Sequence, residues 1–289
     1  MPELPETETI ARDLHAAVTG AIIREVIVHR ADVLRETTAL DIARVLPGSR
    51  IARVWRRAKL VVLDLVQDRA HDVALAPDAA VSSHLVVQPR FTGALLLDDG
   101  NLPADQLDYL TLTFTLQDHR ALHYRDVRRL GTVAHMDVAR FAKYAAKLGP
   151  EPLDVALTAI EFSALVRASR RPIKTLLMDQ ARLAGVGNIY ANEALWRAGI
   201  DPSRESASLN DVECALLLEH LQTVLRASIA LRGTSFRDYR DARGNRGSYV
   251  DQLVAYGRGG QPCLRCARRL IDTHAIDGRT TVFCAYCQR

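Results

Sequence analysis

Between residues 109 and 116 the chain alternates strictly, Tyr-Leu-Thr-Leu-Thr-Phe-Thr-Leu. A period of two puts every second side chain on one face, so this run predicts a half-buried antiparallel strand. Shorter apolar runs at 22–29, 51–55, 60–66, 81–87, 94–97 and 121–124 predict further strands. Short strands in close succession favour a sandwich or barrel over a parallel sheet wrapped in helices. At the start the period is different. Ile10, Leu14 and Val18 recur every four residues, Pro5 sits where a first helical turn tolerates it, and Glu6 and Glu8 bring negative charge to the positive end of the helix. A helix over residues 4–18 follows, beginning almost at the first residue.

After about Met136 the pattern becomes helical, with segments at 158–168, 173–178, 188–198 and 209–231. Ser208 followed by Asp211 reads as a variant capping box for the last of these, and Gly233 lies just past its end. The stretch Leu-Gly-Pro-Glu-Pro-Leu at 148–153 interrupts both periods and marks a linker. The predicted architecture is α+β and multidomain. A β-sandwich with its N-terminal helix occupies 1–135, a linker region 136–153, a helical domain 154–255, and a small cysteine-bearing hairpin 256–289.

A length of 289 residues suits about two domains. No run of about 18 apolar residues is present, and the opening MPELPETETIARDL has acids where a secretory signal would have bases. The expectation is a cytoplasmic protein with no membrane segment. The net charge of +4 permits a nucleic-acid partner without requiring one. Its distribution is more telling, with one basic cluster at Arg53, Arg56, Arg57 and Lys59 and another from Arg258 to the C-terminus. Lys59, Lys143, Lys147 and Lys174 are the only lysines in a chain rich in arginine. Lysine can give up its proton and arginine cannot, so a lysine kept among arginines at position 59 invites a chemical role, against the plainer reading of a surface cation.

Cys263-x2-Cys266 and Cys284-x2-Cys287 have the spacing of a structural zinc site, in which each pair gives two thiolates from one tight turn. Two disulfides would satisfy the same spacing, although nothing in the N-terminus suggests the secretory route that forms them. Cys214, inside an apolar helical run, reads as a buried thiol. Between the cysteine pairs, Asp-Gly-Arg-Thr-Thr-Val-Phe at 277–283 predicts a turn and strand that present Arg279 outward. On its own Arg279 would be a surface charge. Gly185-Val186-Gly187-Asn188 places small residues before a helix start, where backbone N–H groups can receive a phosphate, a weak signal in isolation.

Taken together, Pro2-Glu3-Leu4-Pro5-Glu6, Arg57-Ala58-Lys59, Asp126-Val127-Arg128-Arg129-Leu130-Gly131, Gly149-Pro150-Glu151-Pro152-Leu153, residues 184–193 and the terminal cysteines resemble the formamidopyrimidine-DNA glycosylase family, in order and over almost the whole chain. The resemblance implies a β-sandwich flanked by helices, a helix-two-turn-helix domain and a zinc finger, with damaged double-stranded DNA bound in the cleft between. It also implies a monomer that holds one structural Zn2+. By the same resemblance Pro2, exposed once Met1 is removed, is the nucleophile. Glu3 is the acid that protonates the opening deoxyribose, Glu6 a second acid at the catalytic start, and Lys59 an aid to proton transfer. Lys174, Asn188 and Arg279 bind phosphates beside the extruded nucleotide. Independently of family, a terminal amine titrates near pH 8, so a useful fraction is neutral and nucleophilic under ordinary conditions.

The resemblance is imperfect where the duplex would be filled after base extrusion. The family uses a Met, an Arg and a Phe; here Arg128 matches, Phe91 stands where Met is usual, and Leu130 replaces Phe. Both replacements are apolar and can wedge between bases. Gln88 stands where His is common, and nothing in the sequence explains it. Residues 233–249 resemble the loop that covers a flipped oxidised purine, which favours 8-oxoguanine and formamidopyrimidines as substrates. The competing readings are an endonuclease VIII-like enzyme for oxidised pyrimidines and a catalytically silent protein that binds damaged DNA.

Overall fold

The computed structural model describes residues 2–67 and 80–289; Met1, whose removal the resemblance implies, lies outside them. The chain divides into two compact units. The first runs to Ala146 and takes back Arg232–Ser248, and the second consists of Lys147–Leu231 and Tyr249–Arg289.

The first unit opens with helix α1, Leu4–Val18, and continues through β1 (Ile23–Val28), α2 (Ala39–Val45), β2 (Ser49–Arg57), β3 (Leu60–Gln67), β4 (Ser83–Gln88), β5 (Gly93–Asp98), β6 (Leu110–Leu116), β7 (Ala121–Asp126), β8 (Thr132–Asp137) and α3 (Val138–Ala145). The strands form two antiparallel four-stranded sheets, ordered β1-β6-β7-β5 and β2-β3-β4-β8. Leu112, Phe114 and Leu116 of the alternating run at 109–116 are buried in the core with Leu63, Leu65, Leu95 and Tyr124, but Thr111 and Thr113 on the other face are buried as well, so the strand is not half-buried as its alternation predicts. Helix α1 joins this core through Ile10, Leu14 and Val18, the residues spaced by four. Strand β8 and helices α2 and α3 are elements that periodicity does not predict. The segment 232–248, grouped by sequence with the helical region, packs in this first unit, where Leu97 N donates to Ala242 O at 2.8 Å.

The second unit holds α4 (Ala159–Arg167), α5 (Ile173–Leu177), α6 (Asn188–Ala198), α7 (Asp211–Ala230), β9 (Ile271–Thr273) and β10 (Thr281–Phe283). Helix α7 is capped by Asn210 and Glu213 rather than by Ser208 and Asp211. Asn210 Oδ1 accepts from Glu213 N at 2.9 Å and Glu213 Oε2 accepts from Asn210 N at 2.9 Å. The reciprocal box needs a Glu three residues on, and Asn210 has one where Ser208 does not. Strands β9 and β10 make the expected hairpin. Among the described residues no helix is long and apolar enough to cross a membrane.

Candidate active site and nucleic-acid interface

The N-terminal residues are held by the helix they begin. Glu3 is the N-cap of α1, and its backbone N–H donates to Glu6 Oε2 at 2.8 Å, closing a capping box. The other oxygen of Glu6 accepts from Thr234 N at 2.8 Å, at the base of the 232–248 segment. Pro2, Glu3 and Glu6 are all buried. Glu6 thus fixes the angle at which Glu3 leaves the helix and ties that helix start to the loop after residue 232.

Lys59 belongs to the two-residue turn between β2 and β3, where Ala58 takes a left-handed φ of 53°. That turn packs on the first turn of α1, since Thr7 Oγ1 donates to Ala58 O at 3.4 Å. Arg56 strengthens the junction by donating to Glu8 Oε2 at 2.8 Å and to Ala58 O at 3.1 Å. Burial raises the affinity of the Glu8 carboxyl for its proton, but Arg56 and then Arg12 outweigh it and hold the group below its ordinary value. The hairpin turn that carries Lys59 therefore lies against the first turn of the helix that Pro2, Glu3 and Glu6 begin.

Two further loops of this unit carry the expected wedge residues. Phe91 lies between β4 and β5, and Arg128 and Leu130 lie between β7 and β8. Phe91 and Leu130 are each 44% exposed, and the Arg128 guanidinium sits over the Phe91 ring at 4.6 Å. Gln88 Oε1 accepts from Arg90 at 3.3 Å, and no role beyond this contact is evident.

In the second unit, Lys174, Asn188 and Arg279 meet at the hairpin turn. Lys174 is fully buried, with Nζ donating to Thr281 Oγ1 at 2.7 Å and to Thr280 O at 3.3 Å, and lying 3.2 Å from Asp277. Asn188 Nδ2 donates to the same Thr280 O at 2.9 Å. Arg279, one residue before, is exposed. The resemblance assigns Lys174 and Asn188 to phosphates, but the Lys174 amine is fully buried and faces Thr280, Thr281 and Asp277, and Asn188 Nδ2 also faces Thr280 O, so the two brace the turn that presents Arg279. A lysine among the buried charges is not visible from residue type, which ordinarily predicts an exposed side chain.

The sulfur atoms of Cys263, Cys266, Cys284 and Cys287 lie within 4.8 Å of one another, a spacing that fits a tetrahedral metal such as zinc. Among the described residues no disulfide joins them. Burial opposes ionisation at Cys263, but the backbone amides of Arg265 and Cys266 overcome it and bring that thiol to about 7. Burial and the neighbouring thiols push Cys287 up to about 12. Four such sulfurs become thiolates together only with a cation among them, which is the chemistry the cluster is shaped for. Cys214 is buried as expected.

Glu193 and Asp126 are two of the buried carboxylates to which sequence reasoning assigned no role. Glu193 accepts from the backbone N–H groups of Val254, Ala255 and Tyr256 at 2.8 to 3.2 Å, so α6 holds the stretch of chain that leads into the cysteine hairpin. Burial raises its pKa above the ordinary value despite these donors. Asp126 is the other, and it organises the loops that carry the wedge residues. Both lie inside motifs that carried the family resemblance, which was the available signal.

A sandwich whose N-terminal helix start lies against a lysine-bearing hairpin turn, and a helical unit that carries a four-cysteine hairpin with Arg279 exposed, are the arrangement that the resemblance assigns to DNA-repair glycosylases. The comparisons make the assignment particular. The model described as the formamidopyrimidine-DNA glycosylase N-terminal domain matches residues 1–133, and the one for the H2TH domain of the same enzymes matches 148–240. A formamidopyrimidine-DNA glycosylase of Heliobacterium modesticaldum is 36% identical over the full length of both chains. Among solved structures, the wild-type Lactococcus lactis enzyme in complex with DNA containing N7-benzyl-Fapy-dG superimposes with a TM-score of 0.86 at 29% identity, covering all of both chains. The same wild-type enzyme with DNA containing an oxidised pyrimidine gives 0.85 at 29%, again with full coverage. The chain belongs to the formamidopyrimidine-DNA glycosylase family and is a DNA glycosylase that acts on damaged DNA.

Proposed function

We propose that the chain excises oxidised purines, 8-oxoguanine and formamidopyrimidines, from duplex DNA and then cuts the strand as a lyase, acting as a monomer with one structural zinc. The observation that carries this reading is the convergence of buried Pro2 and Glu3, at the first turn of α1, with the Ala58-Lys59 hairpin turn. With Met1 removed, the nitrogen of Pro2 is a secondary amine. Its lone pair attacks C1′ of the damaged nucleotide, the base departs with the electrons of the glycosidic bond, and the proton that the attacking nitrogen gives up passes to the departing base. Glu3 gives a proton to the deoxyribose ring oxygen as the ring opens, leaving an iminium between Pro2 and C1′. That iminium acidifies the protons on C2′, so loss of one expels the 3′ phosphate, a second elimination expels the 5′ phosphate, and water releases the sugar remnant from Pro2. Lys59 assists proton transfer at this centre. Glu6 acts on Glu3 by holding the helix start rather than by meeting the sugar.

The remaining residues handle the duplex. Arg279, braced by Lys174 and Asn188, takes a backbone phosphate, while Phe91, Arg128 and Leu130 fill the space the extruded base leaves. The four cysteines hold the zinc, which supplies folding energy to the hairpin and no chemistry. Borohydride trapping on duplex DNA containing 8-oxoguanine tests the assignment. Processed protein gives a covalent adduct, and Pro2→Gly or protein that retains Met1 gives at least about a hundredfold less; an equal adduct from the Met1 form overturns the nucleophile. A second reading, oxidised pyrimidines as substrates, draws on the Lactococcus lactis relative seen with such DNA. Comparing cleavage of 8-oxoguanine and 5-hydroxycytosine duplexes decides between them.

A further inference from the structure

The exposed side chains Phe91, Arg128 and Leu130 come from two loops far apart in sequence, yet their usefulness depends on a fixed mutual position. One buried contact holds these loops together. Thr92 Oγ1 donates a hydrogen bond to Asp126 Oδ1, and the same hydroxyl oxygen accepts from Arg128 N at 3.0 Å. Asp126 Oδ2 accepts from Gly131 N at 2.7 Å, and Asp126 O accepts from Arg129 N at 3.3 Å. Asp126 is 1% exposed and Thr92 7% exposed, so the carboxylate faces protein donors rather than water. The residue before each apolar wedge, Arg90 at φ 52° and Arg129 at φ 53°, is left-handed without being glycine. Such a backbone costs about 1 kcal/mol per residue and persists only where its surroundings enforce it.

The arrangement is a relay with direction. A hydroxyl that donates to a carboxylate has its proton fixed, so its lone pairs are aimed, and here one of them receives the amide of the residue whose guanidinium lies over Phe91. We propose that Thr92 and Asp126 are positioning residues that set Arg128 against the base left unpaired in the duplex, and so determine how strictly the enzyme demands its partner base. This rests on the reading of Arg128 as the group that meets the orphaned base. Neither residue touches DNA.

The decisive measurement is the ratio of cleavage rates on 8-oxoguanine paired with cytosine and with adenine, alongside affinity for undamaged duplex. Thr92→Val keeps the shape and removes the hydroxyl, leaving a buried carboxylate oxygen and the Arg128 amide without their partner. The ratio is expected to fall about tenfold, the effect of losing a hydrogen bond to a charged group. Affinity for undamaged DNA, set by phosphate contacts, stays unchanged. Thr92→Ser restores the ratio. If Thr92→Val leaves the ratio intact while Arg128→Ala abolishes it, the positioning role is wrong and the reading of Arg128 stands. If Arg128→Ala also leaves it intact, the reading fails and the proposal with it. Should Thr92→Val not show a cooperative urea transition, Asp126→Asn replaces it, since it keeps an acceptor for Thr92 and loses the one for Gly131, with the same outcomes decisive.

Discussion

The sandwich end and the cysteine hairpin each display an arginine toward solvent, and they hold it by different means. Arg128 stands on loops anchored in a core that includes Phe114, Tyr124, Leu95 and Val133. Arg279 stands on a hairpin whose own apolar cluster consists of Trp196, Ala255, Cys263, Leu270, Val282 and Cys284, two of them cysteines of the metal cluster. A large core tolerates the loss of one polar contact because burial of many side chains stabilises the rest. A hairpin of this size has no such reserve, so its order depends on a few strong bonds, the sulfur–metal bonds foremost.

The largest effect should therefore come from the cysteines. Cys266→Ser, or exhaustive chelation, is expected to disorder the hairpin and lower cleavage of damaged duplex more than about a hundredfold, since structural zinc supplies on the order of 10 kcal/mol to such folds. Far-UV circular dichroism should keep most of its helical and strand signal. One zinc per native chain, counted by colorimetric assay after denaturation, is the companion result; a chain that cleaves at full rate without metal would break the contrast.

Next in size is Lys174→Met. It leaves Asp277 buried against a missing cation, a loss of about 3 to 5 kcal/mol for an uncompensated charge. Because Lys174 also donates to Thr280 O beside Arg279, the damage should appear as faster hydrogen exchange at residues 277–283 and weaker DNA affinity. In the sandwich the comparable insult is steric. A methyl at Gly131 would overlap the Tyr124 hydroxyl and lie 2.8 Å from Gln88 O. Gly131→Ala is expected to cost about 2 kcal/mol in urea unfolding, smaller than the lysine loss because the surrounding core can shift a little.

These contrasts bear on what was legible in the sequence. The cysteine cluster was readable because spacing alone brings each pair of ligands together. Helix α1 was readable because Pro5, the early acids and the apolar period agree on one answer. Strand β8 was not, since Val133, Ala134 and Met136 share a short stretch with Thr132 and His135 and give no clean alternation. The cap of α7 was misplaced by two residues because Ser208 is as good a cap by type as Asn210, and only the reciprocal bond with Glu213 separates them. Residue type gives no hint that Lys174 is interior, because its burial depends on Asp277 and Thr281 more than a hundred residues away in the chain. The pair Thr92 and Asp126, separated by 34 positions, was invisible for the same reason. What periodicity conveys is local; what the site requires is largely the meeting of distant polar groups.

The smallest effect expected is at Glu8, and its sign is informative. Glu8 joins Arg56, which also holds Ala58 O beside Lys59, so the pair fastens the hairpin turn to α1. Its folded pKa lies below the ordinary 4.5, because Arg56 and Arg12 outweigh burial. A depressed carboxylate contributes its stability in full above about pH 4.5 and loses it as pH falls through the folded value. Glu8→Gln should then lower stability by about 1 kcal/mol at pH 7, and the difference from the unaltered chain should shrink as pH is lowered past 4.5, measured as paired urea midpoints. A difference that stays constant with pH would mean that shape and hydrogen bonding, not charge, fasten the turn. A loss at pH 7 as large as that of Lys174→Met would mean the sandwich end leans on single ion pairs as heavily as the hairpin does, and the contrast between a core-supported and a bond-supported arginine would not hold.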